Sequence, residues 1–334
     1  MGIHIDILGL SDDNVYTSND LVQGIVAIKA GKGTRISDIT IALKGTVKSS
    51  VIEAGPAFIM GNDVPKVAQE EHEFVRMSQR LFPYTNTLPG HDQPVHATNR
   101  HTIPFKLCFP AVQMLPGASQ KPLPPSFQTR SSEKAAAAEI VYSLEVVVKR
   151  HKRLRTDTTT EKVLTLIPSY PSAVVRALHP STHSAQTLYA TNTLSTTNID
   201  NLPTLTVEAR LPSSILQTGH KIPLRLYVRM LPRRTNQVSS VVLKTLNIRL
   251  RALTSIRAVG QKRSWSSTLS LLDLEGIDEV FACSSGTESL SEVHNRSLQH
   301  LMLSSSNPSF STTTVEQRHV IEVEAVFSIP ELKV

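Results

Sequence analysis

The sequence predicts an all-β protein, two antiparallel β-sandwiches in tandem, and three observations carry that reading. Apolar and polar residues alternate with period two through most patterned segments, the mark of half-buried strands, while no sustained helical period or β-α-β rhythm appears. Aromatic residues make up only 5% of a chain that is 40% hydrophobic, so the core must come from Val, Ile and Leu, which suit strands. Twenty prolines and fourteen glycines punctuate the chain as many short strands require, and 334 residues correspond to about two domains.

Taken in order, Ile3, Ile5 and Ile7 face one way, and a turn follows at Ser11-Asp12-Asp13-Asn14. Leu21 to Lys29 forms the next strand, with Val22, Val26 and Ile28 in step; Gly24 inside it predicts a bulge or a close backbone approach. Gly31-Lys32-Gly33 is a hairpin turn, and Ile39, Ile41 and Leu43 form a strand ended by Lys44-Gly45. Val64 to Leu81 fits a short helix or an irregular strand equally, and Phe82 to Arg100 reads as a loop. Ile103, Phe105, Leu107 and Phe109 alternate around Pro104, which cannot donate to a ladder and belongs at a strand end or edge. Ala135 to Ala138 favours helix but is too short to hold one, so it reads as a loop entering the strand of Tyr142, Leu144, Val146 and Val148. Residues 1–166 make the first domain.

Residues 167–201 are rich in Ser, Thr and Pro and predict an interdomain linker. The second domain, 202–334, repeats the strand pattern in Leu205 to Leu211, Lys221 to Arg229, Leu246 to Arg251 and Ile321 to Ser328, with Ser/Thr-rich loops at Ser284 to Ser291 and Ser304 to Thr314.

Cys108 and Cys283 are too few for a disulfide framework and point to a reducing compartment. No signal-peptide pattern and no apolar run of membrane-spanning length is present. Asp6 occupies the place where a myristoylation signal has Ser or Thr, and the sequon Asn295-Arg296-Ser297 is chance in a cytosolic chain. Gly31-Lys32-Gly33-Thr34 lacks the earlier glycine of a phosphate loop, since Val26 is there. His91, His96 and His101 fall in one loop with no cysteine near and no carboxylate beyond Asp92, so no metal or cofactor is expected. No nucleophile, base and orienting group can be named together, and no enzyme is expected.

The formal charge of +7 favours acidic partners. It concentrates in Lys149-Arg150-His151-Lys152-Arg153-Leu154-Arg155, directly after the strand ending at Val148. A run placed there is either a solvated hairpin or a rigidly mounted cationic patch. As a patch, Lys149, Arg150, Lys152, Arg153 and Arg155 would bind an acidic or phosphorylated peptide, arginine offering a two-pronged fork to such groups. Arg225, Arg229, Arg233 and Arg234 form a second, weaker set. Sparse aromatics leave no stacking platform for nucleic acid.

The order of these segments resembles the arrestin family, closest to its fungal α-arrestin-related branch. Tyr16-Thr17-Ser18-Asn19-Asp20 followed by Val22-Gln23-Gly24 is similar to the family's opening strand, and Ile39 to Gly45 to its Ile-x-Leu-x-Gly strand. Ile103-Pro104-Phe105, Leu123-Pro124-Pro125-Ser126-Phe127 and Ile140-Val141-Tyr142-Ser143-Leu144 follow in the family's order. Leu205 to Leu211 and Lys221 to Val228 resemble the opening of its second domain. The resemblance implies two immunoglobulin-like sandwiches and an adaptor for cytosolic tails of membrane transporters or receptors. Such an adaptor is cytoplasmic, visits the plasma membrane or endosomes, touches anionic membrane, and couples its cargo to endocytic or ubiquitin-dependent sorting. A ubiquitin ligase is the further partner implied, but its Pro-Pro-x-Tyr peptide is absent, the nearest match being Pro124-Pro125-Ser126-Phe127. Family members continue with another strand and a long tail where this chain stops at Val334. The expectation is therefore a lost tail or a short form, with an unpaired sheet edge if a strand is lacking. The alternative implied by the same fold is a structural subunit of a retromer-like trafficking coat.

Overall fold

A computed structural model describes residues 3–31, 34, 36–53, 66–82, 101–114, 121–150, 156–168, 186–190, 204–211, 216, 218–231, 239–283, 287–303 and 307–328. Within them the chain is all-β, and the only helical element among the described residues is a 3-10 turn, Arg296–His300. Contacts divide the chain into two compact units, and both are discontinuous. The first takes Met1–Ser169 together with Thr254–Trp265 and Pro308–Gln317; the second takes Tyr170–Leu253, Ser266–Asn307 and Arg318–Val334.

In the first unit, β1 (Ile3–Leu8), β3 (Leu21–Ala30) and β6 (His101–Cys108) form an antiparallel sheet with β3 central. The facing sheet runs β2 (Val15–Tyr16), β9 (Thr158–Leu166), β8 (Ala136–Arg150), β4 (Ile36–Glu53), β5 (Lys66–Phe82), and only the β2–β9 pair is parallel. One edge of β8 serves two partners in succession: β7 (Phe127–Ser131) over Ala136 to Ile140, then β9 over Tyr142 to Val148. Alternation turns Val22, Val26 and Ile28 toward Ile41, Leu43, Leu144 and Val146 in one dry core. Tyr142 sits at its centre, where its ring meets Phe74 and Phe109 edge-on and its hydroxyl donates to Pro124 O at 2.7 Å. That bond satisfies a buried hydroxyl, and burial pushes the phenol pKa far up.

Two glycines are explained by close approach. A Cβ on Gly24 would lie 2.6 Å from Leu8 O, so the close backbone contact expected there is what the strand makes. At Gly45 a Cβ would meet the Phe74 and Tyr142 rings; the strand does not stop there but continues to Glu53, with a register shift against β5 after Gly45. Most of the ambiguous segment 64–81 forms β5, with Glu71, Glu73, Arg76 and Arg80 on its exposed side and Glu70 and His72 on the half-buried one. Glu71 pairs with Lys48 across the ladder, and Glu73 with Arg76. Ala136 to Ala138 are strand residues rather than loop, with Ala136 and Ala138 buried opposite Val51 and Ser49.

Thr254–Trp265 brings Ile256 and Ala258 into this first core, and Pro308–Gln317 brings Val315. The Ser49 hydroxyl donates to Arg257 O at 2.8 Å, and Glu70 accepts from Val259 N at 2.8 Å. Val259 and Gly260 both have positive φ, 47° and 79°, the pair required at a tight two-residue hairpin.

In the second unit, β10 (Gln186–Ala190), β11 (Thr204–Leu211), β12 (Arg225–Leu231) and β15 (Ser289–Glu292) form one antiparallel sheet in that order. A further sheet runs β14 (Gln261–Cys283), β13 (Ser239–Ala258), β17 (Val315–Ser328), β16 (Phe310–Ser311), of which this unit holds β13 up to Leu253, β14 from Ser266 and β17 from Arg318. Leu226, Val228 and Met230 pack with Val241, Leu243 and Ile248 between them. Strand β10 lies inside the stretch expected to be a linker; most of residues 167–201 fall outside the described residues. Strand β12 starts later than the alternation from Lys221 suggests. Pro223 has no N–H to give a ladder, and Leu224 N instead turns back to Ile222 O.

Candidate binding site at the basic end of the first unit

The site lies where β8 ends. Tyr142, Leu144, Val146 and Val148 face the core, so Lys149 faces out and Arg150 is the next residue on the inward side. Strand β4 runs antiparallel to β8, placing Asp38 opposite Lys149 and Ile36 opposite Arg150. Lys149 Nζ is 3.7 Å from Asp38, and Arg80, from the end of β5, donates its Nε to the same carboxylate at 2.7 Å. One carboxylate thus serves two cations, and Arg150 adds a third positive charge. Arg150 Nη2 donates to Thr158 Oγ1 at 3.0 Å, while its Nε is buried with no partner among the described residues.

Beside this charged row is a cavity of about 130 Å³ lined by Ile28, Ile36, Ile39, Ile103, Phe82 and His101, with Thr102. It sits between the two sheets, where the last residue of β5 and the first of β6 come together. His101 Nε2 is buried and also has no partner among the described residues. Two of the hydrogen-bonding groups left unsatisfied in the described structure are therefore at this one end of the sandwich.

Of the basic residues singled out in the sequence, Lys149 and Arg150 are brought together here, while Lys152, Arg153 and Arg155 lie outside the described residues. Sequence reasoning missed Asp38, Arg80 and the cavity. His101 was expected in a loop beside His91 and His96; it opens β6, and the other two lie outside the described residues. No cluster of three potential metal ligands occurs among the described residues. No described helix is long and apolar enough to cross a membrane.

Of the second cationic set, Arg229 is occupied internally. Glu208, only 1% exposed, accepts from Arg229 Nε at 2.7 Å and from Arg210 Nη2 at 2.9 Å, and Arg229 also reaches Glu288. The Arg210 guanidinium lies 4.2 Å above the Tyr227 ring. Hydrogen bonding from Arg210, then from Arg229, holds the Glu208 carboxyl below its usual range against the opposing effect of burial, and the Glu208 hydrogen bond raises Arg229. Arg225 is exposed, and Arg233 and Arg234 are outside the described residues.

No protein-family model matches this chain, and no curated protein matches it.

Proposed function

We propose that this chain is a non-catalytic, arrestin-like adaptor that binds acidic or phosphorylated cytosolic tails of membrane proteins and couples them to endocytic or ubiquitin-dependent sorting. One observation carries the reading. The end of β8 holds Lys149 and Arg150 on a strand anchored in the core, with one carboxylate, Asp38, divided between Lys149 and Arg80. Cations mounted on a strand lose little freedom on binding, and arginine grips carboxylate or phosphate with two parallel bonds. The resemblance to the arrestin family supplies the cargo class, cytosolic tails of transporters or receptors, and the cytoplasmic setting with visits to plasma membrane or endosomes.

The test is fluorescence anisotropy with acidic and phosphorylated peptides, on the native chain and on a variant with Lys149, Arg150, Lys152 and Arg153 changed to Glu. The variant should lose peptide binding while keeping its β-type circular dichroism. Native binding should weaken steeply with salt, as contacts screened over ~8 Å at physiological ionic strength do. Undiminished binding by the variant rejects this location.

A structural coat subunit is the second reading. It is favoured by a row across the outer face of the β1–β3–β6 sheet, where exposed Leu8 lies opposite Ile25 and Ile25 opposite Pro104. That reading predicts partner subunits that co-purify at high salt, where charge-driven peptide binding is lost.

A further inference from the structure

We propose that the cavity beside Arg150 and His101 is an anchor pocket for one aliphatic side chain of the bound tail, making the recognised ligand a linear acidic peptide with a leucine, isoleucine or methionine among its acidic residues. This deepens the adaptor reading above and rests on it.

Size selects a side chain over a whole molecule. Pockets that enclose complete small-molecule ligands run from about 300 to 1,000 Å³. An apolar protein cavity of ~150 Å³ holds one benzene ring. At about 130 Å³ this cavity is on the scale of a single aliphatic side chain and too small for an acyl chain of lipid length. Its walls are four isoleucines and Phe82, and such a surface gains most from an apolar occupant.

The polar groups select what flanks that side chain. Arg150 Nε–H is a buried donor without an acceptor, and His101 Nε2 is a second buried nitrogen without a partner. Unsatisfied buried polar groups are rare and costly, and a backbone carbonyl or carboxylate arriving with the peptide would answer both. Lys149 and Arg80 lie on the outward face of the same strand ends, and Asp38 neutralises only part of their charge. An apolar hole with an orphaned His101 nitrogen in its lining, an orphaned Arg150 nitrogen on the strand opposite Ile36 and surplus cations outside matches a peptide that carries one apolar residue within an acidic run.

The experiment uses the full chain labelled with ¹³C at isoleucine δ1 methyls, so that Ile28, Ile36, Ile39 and Ile103 report directly on the cavity. The probes are fluorescein-labelled peptides of six glutamates around one leucine, and the same peptide with that leucine changed to alanine. The leucine peptide should bind about tenfold more tightly, as expected when a few methylene groups leave water. It should shift those four methyl signals, whereas the alanine peptide should leave Ile28, Ile39 and Ile103 unmoved and touch only Ile36, which lies opposite Arg150. Ile39→Phe, which fills the cavity, should erase the leucine preference. If that variant does not fold, the two-peptide comparison on the native chain decides alone. Equal affinity with the four methyls unmoved overturns the anchor pocket and leaves the acidic-tail reading standing. No binding of either peptide at low salt overturns both. Methyl shifts produced by free long-chain fatty acid and not by the leucine peptide overturn the peptide assignment.

Discussion

Replacing Gly45 with alanine places a methyl group where two buried rings of the first unit, Phe74 and Tyr142, already meet. The new Cβ would lie 2.9 Å from Phe74 Cε2 and 3.0 Å from Tyr142 Cε1, against ~3.5–4.0 Å for an ordinary carbon contact. Neither ring can step aside. Phe74 is 2% and Tyr142 0% exposed, they pack edge-on with centroids 5.6 Å apart, and the Tyr142 hydroxyl is tied to Pro124 O. Overpacking of this kind costs about 1–3 kcal/mol. Alanine restricts the unfolded chain and returns about 0.4–1 kcal/mol, so the net loss should be roughly 1–2 kcal/mol. Urea unfolding followed by tryptophan fluorescence measures it in the right place, because the only tryptophan, Trp265, belongs to the first unit and packs against its core. The midpoint should fall with the slope unchanged. Adding Phe74→Leu should make the combined loss smaller than the sum of the two single losses, since the shorter side chain removes the clash. An unchanged or higher midpoint for Gly45→Ala, or strict additivity with Phe74→Leu, would refute the claim that close ring approach requires glycine.

Val259 is a β-branched residue at φ 47° and is 67% exposed, so Val259→Asn relieves strain without losing burial and should raise the Trp265-reported stability by about 1 kcal/mol. Tyr142→Phe leaves Pro124 O without its buried donor and should cost about 1–2 kcal/mol in the same assay, with no change in the far-ultraviolet spectrum. Glu208 has a carboxyl held below its ordinary value of 4.5, so the stability it contributes is whole above that pH and is lost as pH falls through the lower folded value. Acid titration of Glu208→Gln, followed by circular dichroism, should therefore show a shallower decline below pH 4.5 than the native chain; parallel acid limbs would show that the Glu208 cluster is not pH-linked.

Much of the fold was legible because alternation is a local signal. Tyr142, Leu144, Val146 and Val148 announce β8, and Leu205 to Leu211 announce β11, since each has one dry face. Strand β14 escaped notice although it is 23 residues long. Ser266, Ser267, Thr268 and Ser270 give it little contrast between faces, and Leu271 and Leu272 break the period. In Ala136 to Ala138 local propensity pointed to helix, and pairing with β4 and β7 decided for strand. The cationic half of the candidate site was visible as a run of Lys and Arg. The rest was not, because Asp38 and Arg80 are 42 residues apart and meet only through the β4–β5 register, and the cavity walls come from four strands on two sheets.

The composition of the first unit also constrains its birth. Ile256, Ala258 and Val315 complete a core that otherwise ends near residue 169. An amino-terminal unit of a tandem protein ordinarily finishes folding while the ribosome is still making the next one. Here the last pieces of that unit leave the exit tunnel only after residue 317 has been joined to the chain, so the nascent core stays unclosed from Ser169 until that point, exposed to chaperones.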